Sequence, residues 1–192
     1  MEKAECDWNQ EIDRRKKKCQ YYTSNEIFLI LKQLALGFSF LQKKRIAHRD
    51  IKPQNILIFP KNVYKIADLG EAKMNINKKN GRIKYVGSEF FMSPLLYNGL
   101  KHYNNLIAHN TFKSDVFSLG LCFLYAMTLD LIVIKIIREK KNRPDIEKRI
   151  KDKFVNLPKY PKRLWNIVFK MIEYEEENRY DFIELKKHLP FV

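Results

Sequence analysis

The sequence predicts a mainly α domain with a small β-hairpin, and three segments carry that prediction. A capped amphipathic stretch begins at Thr23, two short apolar runs flank Pro60, and a long apolar run begins at Val116. No internal repeat and no linker rich in Gly, Ser or Pro divides the 192 residues, so a single domain over 1–192 with one core is expected.

Thr23-Ser24-Asn25-Glu26 has the spacing of a capping box, in which the hydroxyl caps the first turn and Glu26 reaches back. Ile27, Ile30, Leu31, Leu34, Phe38 and Leu41 then recur at helical spacing, and Lys43-Lys44-Arg45 sets positive charge at the C-terminal end of the dipole. Ile56–Phe59 and Val63–Ala67, separated by Pro60-Lys61-Asn62, predict the hairpin. A polar loop rich in Lys and Asn follows from Glu71 to Lys84. An apolar helix is expected from Asp115, and amphipathic helices near Leu164–Ile172 and Asp181–Lys187. The segments Lys101–Asn110 and Asn142–Pro158 carry no clear signal.

The run Val116–Ile134 has Asp130 as its only charge and the length of a membrane span. Asp115, Ser118, Gly120, Thr128 and Asp130 bound or interrupt it, so it is read as a buried core helix, with no membrane partner expected. The net charge of +15 would suit a polyanion, but Lys and Arg are spread from Arg14 to Lys187 among acids. Solvated helix faces are the expected use of that charge; a nucleic-acid partner rests on charge alone and is not expected. Cys6, Cys19 and Cys122 have neither the number nor the spacing of a disulfide framework or metal knuckle, which points to a reducing, cytoplasmic setting. Met1–Glu5 has mixed charge and no apolar stretch, unlike a signal peptide.

The segment richest in chemistry is His48-Arg49-Asp50-Ile51-Lys52-Pro53-Gln54-Asn55. Phosphoryl transfer asks a protein for a carboxylate to orient the attacking hydroxyl, a cation on the migrating group and hard ligands for the metal that neutralises the triphosphate. Asp50, Lys52 and Asn55 offer one of each. Beyond the hairpin, Asp68-Leu69-Gly70 adds a second hard oxygen, and the hairpin is expected to return Asp68 beside Asn55. His102, His109 and His188 show no ligand spacing.

This segment resembles the catalytic loop of the eukaryotic Ser/Thr protein kinases, H-R-D-x-K-P-x-N, and Asp68-Leu69-Gly70 resembles their D-F-G turn with Leu replacing Phe. Gly87–Pro94 is similar to the family's peptide-binding floor, Lys113–Gly120 to the start of its central helix, and Glu177–Leu185 to its terminal R-x-x-x-x-E-L element. The resemblance implies a protein-kinase-like C-terminal lobe, an α+β kinase fold in truncated form. Its divisions would be an apparent hinge at 1–7, the catalytic loop at 48–55, and the activation and peptide-binding segment at 68–95.

The implied site uses ATP and Mg²⁺. Asp50 would accept or orient the hydroxyl proton and Lys52 would contact the γ-phosphate. Asn55 and Asp68 would hold Mg²⁺, and Leu57 would floor the adenine pocket. Asp115 would brace the catalytic loop, and a protein substrate would supply a Ser or Thr hydroxyl.

Departures from the family pattern shape the remaining expectations. The chain has no G-x-G-x-x-G loop, no strand Lys and no helix Glu to pair with it, so a small lobe is expected upstream or in trans, and the isolated chain is expected to be inactive. The alternative is a pseudokinase-like module that docks a partner protein. Leu95 stands where the family has the Glu that pairs with the Arg matching Arg179, which predicts a loosely held peptide-binding segment unless that site is rebuilt. From Glu71 to Val86 the only hydroxyl side chain is Tyr85, so regulation by Ser or Thr phosphorylation there is not expected, and Ser88 is read as structural.

Overall fold

The computed structural model describes residues 2–74, 83–84, 87–102, 106–139 and 142–189. The chain opens with a two-residue strand, β1 (Cys6–Asp7), and turns directly into α1 (Trp8–Lys17). Asp7 and Gln10 form a capping box, and the last turn carries Arg14, Arg15, Lys16 and Lys17, the sign that suits the C-terminal dipole. α1 was not legible in the sequence because only Trp8 and Ile12 are buried along its ten residues, too few to set a period.

α2 (Ser24–Lys43) starts at the predicted capping box, where Thr23 Oγ1 accepts the Glu26 N–H at 3.2 Å and Glu26 accepts the Thr23 N–H at 2.7 Å. The predicted hairpin follows as β2 (Ile56–Phe59) and β3 (Val63–Ile66), antiparallel with Ile56 opposite Ile66 and Phe59 opposite Val63. Lys61 and Asn62 take positive φ at its tip. β1 adds an edge the sequence did not announce, pairing Cys6 with Ile58 and Asp7 with Leu57, so the order is β1-β2-β3.

A second antiparallel pair joins β4 (Ile83–Lys84) to β5 (Leu106–Ile107), and α3 (Pro94–Lys101) lies between them in sequence. Then come α4 (Thr111–Thr128), α5 (Ile132–Glu139), α6 (Arg143–Lys153), α7 (Lys162–Met171) and α8 (Phe182–His188). α7 and α8 match expectation, and α8 begins on a capping box of Asp181 and Glu184. α4 begins four residues before Asp115, capped by Asn110, whose side chain accepts the Lys113 N–H. Asp115 is therefore inside the helix and its carboxylate is free for another use.

The apolar run, read as one core helix, is split between α4 and α5. Leu129 adopts φ 55 at the end of α4, and the Thr128 hydroxyl donates back to the Leu124 carbonyl at 2.8 Å. All of α4 is buried except Lys113 and Ser118, so its apolarity serves the core. By length and composition alone, α2 is the one described helix able to cross a membrane. Its inner face packs on α8, with Phe38 and Phe182 stacked at 4.8 Å. α4 meets the end of α7 at Gly120, where a Cβ would lie 2.6 Å from Ile172 Cγ2 and 3.0 Å from Met171 Cβ.

Candidate functional site

The 48–55 loop runs from the end of α2 to β2 and is fixed from below by α4. Asp115 accepts the His48 N–H at 2.8 Å and the Arg49 N–H at 2.9 Å, one on each carboxylate oxygen. Burial pushes its carboxyl up to about 7 against the pull of those two donors. His48 is buried edge-on to Phe38, and burial lowers its pKa. Its Nε2 lies 3.0 Å from the Ala67 carbonyl, which can only accept, so the proton is on Nε2; Nδ1 accepts the Asp50 N–H at 3.3 Å. A neutral His48 thus ties the loop to the turn after β3.

Arg49 takes φ 72, a left-handed conformation that costs a non-glycine residue energy and is held by the two Asp115 contacts. It turns Asp50 toward the segment that begins at Gly87. There Asp50 Oδ1 accepts the Ser88 N–H at 2.8 Å and the Ser88 hydroxyl at 3.1 Å. Oδ2 accepts from Asn55 Nδ2 at 3.0 Å and pairs with Lys52 Nζ at 2.7 Å. Lys52 also donates to Ser88 Oγ at 3.0 Å, which closes the cluster. Burial opposes ionisation of Asp50, yet Lys52 and the Ser88 donors outweigh it and hold the carboxyl below its usual range.

Gly87 makes this approach possible. Its φ is 104, and a Cβ would stand 2.4 Å from the Arg49 carbonyl oxygen and 3.4 Å from Asp50 Cα. Ser88, expected to be structural, touches both candidate catalytic side chains. The sequence signal for it was Gly87 beside a hydroxyl residue, which was read as part of a floor and not as a partner of Asp50.

Asn55 donates its amide N–H₂ to the Asp50 carbonyl at 2.9 Å and to Asp50 Oδ2, which leaves its Oδ1 with lone pairs for a metal. The Ala67 N–H donates to the Asn55 carbonyl at 2.9 Å, so the backbone delivers Asp68 one residue beyond a direct bond to the loop. Asp68 has φ 56, is exposed, and accepts the Gly70 N–H at 3.2 Å. Leu57 is half-buried in β2, while Leu69 is 53% exposed. A cavity of about 580 Å³, bordered by Lys52, Asn55, Ser88, Phe90 and Leu131, opens beside the cluster.

Two cations that the sequence did not flag as a pair hold the neighbouring segments. Arg138 of α5 donates to the carbonyls of Glu89, Phe90 and Met92 at 2.9, 3.1 and 3.3 Å and lies 3.7 Å over the Tyr97 ring. Nothing local marks Arg138; its role exists only because α5 folds beneath 89–92. Arg179 is buried, and it donates to the Glu173 carbonyl at 2.7 and 2.9 Å, to Tyr174 at 3.1 Å and to Lys113 at 3.1 Å. No carboxylate pairs with it among the described residues, and Leu95 is 42% exposed. The lost Glu is thus replaced by main-chain carbonyls, and 89–92 is held from α5 instead. Tyr85 lies outside the described residues.

A helical lobe whose central helix braces a His-Arg-Asp loop, with a second Asp returned by a hairpin, defines a protein kinase domain. The family model described as Protein kinase domain matches residues 1–191, and the chain belongs to that family. It is 29% identical over 170 residues to serine/threonine-protein kinase atg1 of Dictyostelium discoideum, covering 86% of this chain and 23% of that protein. It is 28% identical over 191 residues to the probable serine/threonine-protein kinase nek3 of the same organism, covering 97% of this chain and 16% of that protein. Against serine/threonine-protein kinase Nek4 of Mus musculus the identity is 32% over 115 residues, 60% of this chain and 14% of that protein. The chain spans less than a quarter of each of these relatives.

Proposed function

We propose that the chain forms the C-terminal lobe of a cytoplasmic Ser/Thr protein kinase that transfers phosphoryl from ATP to protein hydroxyls with Mg²⁺, and that it is not competent alone. The observation that carries the reading is the closed cluster of Asp50, Lys52, Asn55 and Ser88 at the mouth of an open cavity. A carboxylate with a depressed pKa is a poor proton acceptor and a good orienting group, so Asp50 acts mainly by aligning the incoming Ser or Thr hydroxyl. Lys52 places its ammonium where the migrating phosphoryl would pass.

The donor set fits Mg²⁺. Asn55 Oδ1 and the exposed Asp68 carboxylate are hard oxygens on adjoining backbone, and Mg²⁺ takes few protein ligands when phosphate and water supply the rest. Bound Mg²⁺ with ATP would supply the phosphoryl group and neutralise its charge. Leu57 would floor the base, 87–94 would seat the substrate peptide, and 1–7 would join a second lobe.

The incompetence of the isolated chain rests on the absence of a Gly-rich loop and strand Lys from the sequence. Exposed Leu69, next to Asp68, offers apolar surface for a small lobe supplied upstream or in trans, and the same surface favours the rival reading, a pseudokinase-like module with a protein partner. The free cysteines suit a reducing compartment.

The test is an ATP titration of the isotope-labelled chain with Mg²⁺. Weak, Mg²⁺-dependent shifts at Asn55, Leu57 and Asp68 that vanish in Asp68→Asn are expected; shifts indifferent to Mg²⁺ or to that variant would sink the site. Radiolabel transfer to a generic Ser/Thr peptide should be absent, and transfer that Asp50→Asn abolishes would overturn the incompetence of the lone chain.

A further inference from the structure

At the other end of α4 from Asp115, a groove opens between α6, the loop 154–161 and α7, with a volume of about 620 Å³. Ile150, Phe154, Leu157 and Phe169 contribute apolar walls, and Trp165 stacks on Phe169 at 5.5 Å. Val155 stands at its lip, 84% exposed. The floor is rigid: the Tyr160 hydroxyl reaches the Tyr22 carbonyl at 2.9 Å and the Met127 carbonyl at 3.3 Å. Met127 is twelve residues beyond Asp115 on one helix, about 18 Å along its axis, so an occupant here leaves the cavity beside Lys52 and Asn55 open.

The rim is cationic and uncompensated. Lys151, Lys159 and Lys162 are exposed and make no ion pair among the described residues. The one carboxylate in the lining, Glu147, is already engaged by Arg143 at 2.6 Å. Free surface lysines are ordinary on a solvated face; three of them ringing an apolar cavity whose one lining carboxylate is already paired are not. The volume lies within the range of about 300–1,000 Å³ typical of binding sites, ample for two large side chains.

We propose that this groove docks an acidic segment of a partner protein that presents two apolar anchors one helical turn apart. The anchors fill the walls at Trp165 and Phe154, and flanking carboxylates meet Lys151, Lys159 and Lys162. An anionic bilayer would satisfy the lysines, but insertion into a membrane needs a protruding apolar face, and this one is concave.

The probe is a fluorescein-labelled helical peptide with Phe and Leu at i and i+4 flanked by Glu, titrated into the full chain. Anisotropy should rise, and Trp165 emission should shift; Trp8 is buried in the core, so Trp165→Phe should remove the shift while binding persists. Val155→Glu, at an exposed position that leaves the fold untouched, and the double variant Lys159→Glu/Lys162→Glu should each weaken binding by tenfold or more. No rise in anisotropy, equal binding of a Lys-flanked peptide, or unaltered affinity in both variants would overturn the proposal. So would phosphatidylserine vesicles that bind the chain through the same lysines while the peptide does not.

Discussion

Asp115 and Arg179 are buried charges of opposite sign beside the first turns of α4, and the protein satisfies both with backbone. Asp115 takes two N–H donors from the 48–50 turn, and Arg179 gives to carbonyls at 173, 174 and 113. The two sites differ in what they can spare. A carboxylate holding two N–H groups is the sole acceptor for each, whereas carbonyls have second lone pairs and tolerate loss better. Burial drives both toward neutrality, Asp115 up to about 7 and Arg179 down to about 10. Only the acid crosses the physiological range, so the site that organises the His-Arg-Asp loop is also the pH-sensitive one.

The sharpest way to break this comparison is Asp115→Ala, which strands the His48 and Arg49 N–H groups; a loss of about 3 kcal/mol in urea unfolding is expected. The Asp50–Ser88 contact should loosen with it, visible as faster amide exchange at Ser88. Arg179→Lys keeps the charge but loses the planar fork and should cost less, about 2 kcal/mol by the same measurement. An equal cost at both sites would remove the asymmetry.

The pH dependence has a definite sign. The folded pKa of Asp115 lies above its unfolded value of 3.8, so between about 4 and about 7 the folded state binds the extra proton, and its contribution to stability falls as pH rises. Asp50 is shifted the other way: its contribution is present above 3.8 and is lost as pH falls through its lower folded pKa. Urea unfolding of Asp115→Asn from pH 4 to pH 7 should therefore lack a downward slope that the parent shows. An unchanged slope would mean that Asp115 is ionised throughout.

The smallest effect belongs to Leu95→Glu, which restores the carboxylate found in the family. Arg179 already has its carbonyls and residue 95 is exposed, so stability should change by no more than about 0.5 kcal/mol. A gain of several kcal/mol would show that the carbonyls are a poor substitute for the ion pair.

The capping box at Thr23, the hairpin at 56–66, the helices at 162–171 and 182–188, and the core role of the run after Val116 were legible because each is a local pattern. The short helices α1, α3 and α6 were not, since each buries two residues or none and their periods are correspondingly faint. Asp50, Lys52, Asn55 and Asp68 were legible as a set of residue types with a family order, but Ser88 and Arg138 were not.

By itself, then, the sequence determined which residue types stand in the proposed site and which segments are helix or hairpin, because side-chain type and periodicity are properties of neighbours along the chain. Tertiary structure alone decided how those groups are held: that Ser88 closes on Asp50, that Gly87 permits it, and that Arg179 is rebuilt on carbonyls without its Glu. Ser88 meets Asp50 across 38 residues and Arg179 meets the Lys113 carbonyl across 66, and every residue carries the same backbone groups, so no spacing of letters announces which will meet.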